Sequence, residues 1–275
     1  MPPAVLSSMC VALFQADGGT SSLTKAERLA VLEERLVEAA AQGAQLLVVP
    51  ECFADAYPDS ESKEAAIVQH LESACAEASL TSDRVSKMAA KHGISVIFGH
   101  MKRGTVGPFE NAASLIEGGT GRTLLTYSKL HTGSWHPESC FSRGQALPPV
   151  VTLHGIKVAV VICYDMYFPE LCRHLKRAHG VQLVVAIWAS TVPQCVQSMS
   201  LVRAIENEIA VISVDYADPF EGGSCYVDDM GQIVKSLGKD EVSLAVVQVD
   251  IHDVRNSGRT WNPIADLSTQ LKSAM

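Results

Sequence analysis

The chain has 275 residues, 47% of them hydrophobic, with 22 Lys and Arg against 30 Asp and Glu and a formal net charge of −8. A chain of this length can bury about three-quarters of the surface its unfolded form exposes, so a large core needs no disulfide or metal staple. The composition excludes an intrinsically disordered chain, and the acidic balance argues against general nucleic-acid binding and against docking on an anionic membrane.

The eight cysteines, Cys10, Cys52, Cys75, Cys140, Cys163, Cys172, Cys195 and Cys225, are scattered and form no CxxC pair. That usage suits a reducing compartment better than a disulfide framework or a zinc site. No apolar run approaches the roughly 18 residues of a transmembrane helix. The first lysine is Lys25, so no charged segment precedes the apolar Met9–Phe14 stretch, and a secretory signal is not expected. A cytoplasmic location is the expectation.

In chain order, Cys10–Gln15 predicts a first strand. Thr24 to Glu27 has the form of a capping box, followed by Leu29, Leu32, Leu36 and Ala40 at helical spacing and a stop at Gly43. Leu46–Val49 reads as a second strand leading to Pro50-Glu51. Helical stretches are expected over 61–78 and 81–92, then a strand over Ile94–Gly99. Ala112–Ile116 and Thr123–Tyr127 flank a Gly-rich turn, and Val150–Leu153 and Lys157–Ile162 flank His154-Gly155; both read as hairpins. Between them, Leu130–Pro149 is a long irregular connection of the kind that often carries function. Pro169 suits the first turn of a helix ending at Gly180. Leu183–Ile187, Ile209–Val214, Tyr226, Gln232–Ser236 and Leu244–Val249 read as strands, with a helix over Val196–Glu208. Strands alternate with helices early and late, with hairpins between, which predicts an α/β fold with mixed sheets. No low-complexity linker and no repeat divides the sequence, so residues 1–275 are expected to form one domain.

Three polar residues punctuate apolar strands: Glu51, Lys129 and Cys163. For an arbitrary cysteine, packing as a small hydrophobe is the default. Cys163, however, ends a buried strand, is followed by polar Tyr164-Asp165, and precedes a Pro-initiated helix. Backbone N–H groups there can stabilise an oxyanion, and a helix start would favour thiolate. Glu51 lies between apolar segments, where desolvation would make it a better base; an acid simply emerging into water is the plain alternative. Lys129 is either a surface lysine or, if it faces the other two, an electrostatic partner for them. Glu138, in Trp135-His136-Pro137-Glu138, is either a solvated loop acid or an orienting carboxylate. His131, His136 and Glu138 have no recognised metal-ligand spacing, so no metal is expected. A Ser-His-Asp reading lacks a G-x-S-x-G motif.

The motifs Val48-Val-Pro-Glu51-Cys-Phe53, Tyr127-Ser-Lys129-Leu-His131 and Ile162-Cys163-Tyr-Asp165-Met-Tyr-Phe-Pro169-Glu170-Leu171 stand in order along the chain. With Asn111-Ala112, Arg203 to Asn207 and Gly223-Ser224 as echoes, the chain resembles the carbon–nitrogen hydrolases of the nitrilase superfamily over nearly its whole length. Cys163-Tyr-Asp and Phe-Pro-Glu are similar to its amidase-type branches. Tyr167 departs from an arginine frequent there, and Asp215 from a common asparagine. The resemblance implies a four-layer α-β-β-α sandwich, a Glu51, Lys129 and Cys163 catalytic set with Glu138 beside it, and an oxyanion contact from the Tyr164 backbone N–H. It implies no metal or organic cofactor, a small-molecule amide substrate, and a homodimer or larger homo-oligomer. Cleavage of a small amide through a cysteine acyl-enzyme, with ammonia released, is the leading expectation. Hydrolysis of a nitrile or N-carbamoyl compound, or a catalytically silent binding protein of the same fold, are the alternatives. Phe53, Tyr57, Trp135 and Trp188 are expected as pocket walls from their proximity to the motifs.

Overall fold

The computed structural model describes residues 4–18, 22–253 and 263–266. The first half supplies β1 (Val5–Gln15), α1 (Lys25–Ala41), β2 (Leu46–Val48), α2 (Glu64–Ala76), α3 (Ala78–His92), β3 (Ser95–Arg103), β4 (Phe109–Ile116) and β5 (Thr123–Ser128). The second half supplies β6 (Val150–Leu153), β7 (Ile156–Ile162), α4 (Pro169–His179), β8 (Leu183–Ile187), α5 (Cys195–Asn207), β9 (Ala210–Val214), β10 (Cys225–Val227), β11 (Ile233–Ser236) and β12 (Ser243–His252). The first strand is longer than the sequence pattern predicts, because Val5–Cys10 pairs with β12 although its outer residues are exposed. Pairing with a neighbour, not burial, sets that boundary. The two mid-chain helices nearly abut, α2 ending at Ala76 and α3 starting at Ala78.

The strands form two mixed sheets. One has the order β12-β1-β2-β3-β4-β5, the other β11-β10-β9-β8-β7-β6. In each, three central strands run parallel and antiparallel strands flank them. The two halves therefore repeat one plan, with the chain returning through β12 to the edge beside β1.

Both faces of the central strands are covered, which is why they read as unbroken apolar runs. Met9, Val11, Leu13, Val48 and Ile97 of the first sheet meet Val158, Val160, Ile162, Val185 and Ile212 of the second. The alternate residues point outward. Ala12, Phe14, Leu47 and Phe98 pack under Leu29, Leu32, Leu36, Val85 and Met88 of α1 and α3. Val161, Val184 and Val211 pack under Leu171, Leu175, Val196 and Ala204 of α4 and α5. The result is the four-layer α-β-β-α sandwich. The period-2 alternation of each strand assigns one residue to the inter-sheet layer and the next to a helix layer.

Local chemistry fixes the ends. Thr24 and Glu27 make the predicted capping box reciprocally, which satisfies orphan donors at the start of α1. Gly99 on β3 lies so close to the turn after β2 that a Cβ there would collide with the Pro50 carbonyl and the Cys52 backbone nitrogen. That absent side chain lets the Glu51 turn lie flat on the sheet. No helix among the described residues is long and apolar enough to cross a membrane.

Candidate active site

The sandwich brings its polar strand ends to one place. Glu51 follows β2 and is fully buried. Its backbone N–H donates to the Trp188 carbonyl (3.2 Å), just beyond β8, so this contact spans the two sheets. The Tyr216 hydroxyl donates to the Glu51 carbonyl (2.9 Å). Cys52 then takes a left-handed φ of 52°, which turns the chain sharply after the carboxylate.

Lys129 follows β5. Its backbone N–H donates to the Asn111 carbonyl (2.8 Å) and its own carbonyl accepts from Gly144 (2.8 Å). Its side chain is buried, and Nζ lies 2.8 Å from Glu51 Oε1 and 2.9 Å from Glu138 Oε1. Glu138 sits on a single 3₁₀ turn (Glu138–Cys140) inside the long irregular connection. Its Oε1 also accepts from the Tyr57 hydroxyl (2.8 Å). The Asn111 amide donates to Glu51 Oε1 (2.6 Å). One ammonium thus bridges two buried carboxylates. The second oxygen of each, Oε2, is buried and has no hydrogen-bond partner among the described residues.

Cys163 stands where β7 ends, with φ 44°, a conformation that costs about 1–3 kcal/mol for a non-glycine residue and is tolerated where the surroundings over-determine it. A five-residue 3₁₀ turn (Cys163–Tyr167) follows, so α4 starts at Pro169 and not at the thiol. Asp165 holds this turn. It is fully buried and accepts from the Ile162 N–H (3.1 Å), the Tyr127 hydroxyl (2.8 Å) and the His131 N–H (3.0 Å), and pairs with His131 Nδ1 (2.8 Å). Those donors come from β7, β5 and the loop after Lys129. One carboxylate therefore ties the cysteine turn to the lysine turn.

The electrostatics follow from burial. Desolvation pushes the Cys163 thiol well above its ordinary value and Glu51 reinforces the push; Lys129 and a hydrogen bond from the Ala189 backbone oppose it without winning. The helix start expected to favour thiolate lies beyond the sulfur, because α4 begins at Pro169, and the direction set by burial and Glu51 is upward. Desolvation likewise raises Glu51, against the pull of Lys129 and with the help of Glu138. Burial alone would pull Lys129 down, yet Glu51, Glu138 and Cys163 together hold its ammonium well above the usual range. The three shifted groups are the three strand-end residues singled out from the sequence, and Glu138 acts on each of them.

The expected pocket aromatics divide. Tyr57 reaches the site through Glu138, and its ring stands edge-on to Phe220 (6.5 Å). Trp135 is 46% exposed and meets Tyr164 edge-on at 4.8 Å, over the cysteine turn. Phe53 is fully buried and packs edge-on against Phe14 in the layer under α1 and α3. Trp188 is also fully buried; its indole N–H donates to Ser213 Oγ (3.1 Å) under α4 and α5. These two rings pack in the helix-facing core clusters. His131, His136 and Glu138 have separate partners: Asp165, the Ser62 carbonyl and Lys129. Sequence reasoning gave no role to Asp165, Tyr216 or Ser190. Asp165 carried a signal, a polar residue at a fixed offset from the strand end; Tyr216 and Ser190 carried none.

Comparison with known proteins gives a consistent picture. A family model described as carbon-nitrogen hydrolase matches residues 10–259. A Pseudomonas protegens protein described as "Hydrolase in pqqF 5'region" is 31% identical over 243 residues, 86% of this chain and 81% of that one. An omega-amidase of Danio rerio is 29% identical, with 84% of each chain covered. The crystal structure of an amidase from Nesterenkonia sp. superposes with a TM-score of 0.79 at 27% identity, covering 99% of this chain and 98% of that one.

Proposed function

The chain belongs to the carbon–nitrogen hydrolase family, and on that premise we propose that it cleaves the C–N bond of a small amide through a Cys163 acyl-enzyme and releases ammonia. The observation that carries the reading is the buried Lys129 ammonium held at 2.8 and 2.9 Å between Glu51 and Glu138, each with one oxygen unpartnered among the described residues. A silent binding domain has no physical use for an unneutralised buried carboxylate, which is costly to keep. The relatives' names support the amide class. One crystal structure of the Nesterenkonia amidase is described as showing covalent addition of the acetamide moiety of fluoroacetamide at its active-site cysteine.

Burial pushes the thiol pKa up, which suits proton removal coupled to attack. Glu51 takes the Sγ proton as sulfur bonds to the amide carbonyl carbon. The carbonyl π electrons move to oxygen, and the developing charge is met by the Lys129 ammonium and the Tyr164 backbone N–H. Protonated Glu51 gives its proton to the departing nitrogen as the C–N bond breaks, and ammonia leaves. Water, deprotonated by the same carboxylate, attacks the thioester, and the acid product departs with the thiol restored. Glu138 holds Lys129 in place, and its unpartnered oxygen is suited to accept from the substrate amide N–H. The strained Cys163 turn, clamped by Asp165, presents sulfur without side-chain reorganisation.

The test is ammonia release from short amides, nitriles and N-carbamoyl amino acids by the wild type and by Cys163→Ser. Amides are expected as the best substrates, and the variant is expected to fold normally and lose turnover by about 10⁴-fold or more. Ammonia release retained by the variant rejects the covalent route; wild-type turnover confined to nitriles or carbamoyl compounds rejects the amide assignment.

A further inference from the structure

We propose that Asp215 is a positioning residue for Glu51, its single oxygen Oδ1 holding both chain segments that grip the Glu51 backbone. The role rests on the amide-hydrolase reading above, in which Glu51 carries the proton. Asp215 follows β9 and is fully buried. Its Oδ1 accepts from the Ser190 N–H (3.1 Å) and from the Tyr216 N–H (2.8 Å). Ser190 closes the short segment 188–190 that follows β8, and the Trp188 carbonyl in that segment takes the Glu51 N–H (3.2 Å). The Tyr216 hydroxyl donates to the Glu51 carbonyl (2.9 Å). These two bonds to the Glu51 backbone therefore lead back to one oxygen. Asp215 is itself fixed from behind. Its N–H donates to Ser224 Oγ (2.9 Å), and the Ser224 N–H donates to Gln15 Oε1 (2.9 Å) on β1, so the clamp is anchored in both sheets.

Glu51 depends on such a clamp because its carboxylate is ligated on one side. Lys129 and Asn111 both bond to Oε1, and Cys52 turns the chain through a left-handed φ directly after it. The orientation of Oε2 is set by the backbone, and a displacement of about 1 Å can cost about 10²-fold in rate. The 188–190 segment also bonds the Cys163 thiol through the Ala189 backbone, so base and nucleophile share a support. The clamp uses an acceptor oxygen and has no need of a charge. Asp215 Oδ2 is buried with no hydrogen-bond partner among the described residues. Burial pushes the Asp215 carboxyl well up, the two N–H bonds oppose this without winning, and Glu51 and Glu221 add to the push. Cys195 and Tyr216 are the other ionisable groups that feel it. A neutral amide at this position would supply the same acceptor.

The test compares Asp215→Ala, Asp215→Asn and Tyr216→Phe, with butyramide as substrate and iodoacetamide as the probe of Cys163. Peptide mass spectra of the labelled chains also read the fold, since buried Cys172 and Cys225 react only when the chain opens. Asp215→Ala is expected to lower kcat by about 10²-fold with KM changed by less than about threefold, and Asp215→Asn to restore kcat to within about threefold of wild type. Tyr216→Phe is expected to cost about tenfold, and the double variant Asp215→Ala, Tyr216→Phe to lose less than the product of the two, because both act on one carbonyl. The acid limb of kcat/KM is expected to move in Asp215→Ala and to coincide with wild type in Asp215→Asn. A folded Asp215→Ala with wild-type kcat, Tyr216→Phe at the wild-type rate, or independent losses in the double variant overturn the proposal. So does an Asp215→Asn that folds yet is slow or has a displaced acid limb, since the carboxylate would then act by its charge. Should Asp215→Ala fail to fold, Asp215→Asn and Tyr216→Phe still decide. If the wild type releases no ammonia from butyramide or other short amides, the hydrolase reading fails instead. The pH profile of Cys163 labelling, moved in Asp215→Ala and unmoved in Asp215→Asn, then still reads the clamp.

Discussion

Glu51 and Glu110 are both buried glutamates of the first sheet, each paired with a lysine, and they behave in opposite ways. Glu110 on β4 has both oxygens occupied. Lys102 and Ser128 (2.6 Å) bond to Oε2, and the Thr105 N–H (2.9 Å) and hydroxyl (3.3 Å) bond to Oε1. Burial pushes its pKa up, but these bonds win and hold it down to about 2. Glu51 receives Lys129 and Asn111 on Oε1 alone, and burial wins there. Complete ligation freezes a carboxylate as an anion, whereas half ligation leaves it poised to take a proton. Neighbouring residues of one strand serve both cases: Glu110 binds Lys102, while Asn111 reaches Glu51.

The sharpest way to break this contrast is Glu51→Gln. The amide keeps an acceptor for Lys129 but cannot carry the proton. We expect activity to fall by about 10⁴-fold with a melting temperature unchanged or raised, since a half-ligated buried charge is a poor stabiliser. A melt that drops as for a large core truncation would make Glu51 structural, like Glu110.

Glu138→Gln comes next, with an expected loss in kcat of about 10²-fold. Its more telling effect is on pH. Glu51 must be ionised to act as base, and its raised pKa places the acid limb of kcat/KM above the ordinary carboxylate value of 4.5. The negative charge of Glu138 contributes to that rise. Its removal also leaves Lys129 facing the charge of one of these carboxylates where it faced two. Both changes lower the Glu51 pKa, so the acid limb should move to lower pH. A limb that stays or moves upward refutes the coupling.

The fold was legible because strands covered on both faces must read as continuous apolar runs, and β7, β8 and β9 do. Glu51, Lys129 and Cys163 stood out as polar residues closing such runs. Their meeting was legible only through the family resemblance, since it depends on two sheets stacking. The packing of Phe53 and Trp188 in the helix-facing clusters was not legible, because nearness in sequence to Glu51 or to a strand end says nothing about which side of a pleat a ring takes. The positive φ at Cys52 and Cys163, which redirects the chain at both sites, has no glycine to announce it. The raised thiol pKa was missed for a different reason. Neighbouring charge can be inferred from motifs, but desolvation depends on how completely the layers close. Tyr216, which fixes the Glu51 carbonyl, comes from a chain segment 165 residues away.

The smallest effect on activity, none at all, is expected for Glu110→Gln, and this completes the contrast from the saturated side. The glutamine amide would oppose a donor from Lys102, Ser128 or Thr105 whichever way it turned. Losing charge-assisted bonds should lower stability by about 1–3 kcal/mol at neutral pH. Because the folded pKa of Glu110 lies below its ordinary value, its contribution is fully present above about pH 4.5 and disappears as pH falls toward about 2. Urea unfolding of wild type and variant at neutral pH and at successively lower pH should therefore show a gap that closes on acidification. A gap that persists through that window would mean Glu110 acts by shape and not by charge. A parallel loss of ammonia release at neutral pH would show that the two lysine–glutamate sites of this sheet are coupled after all.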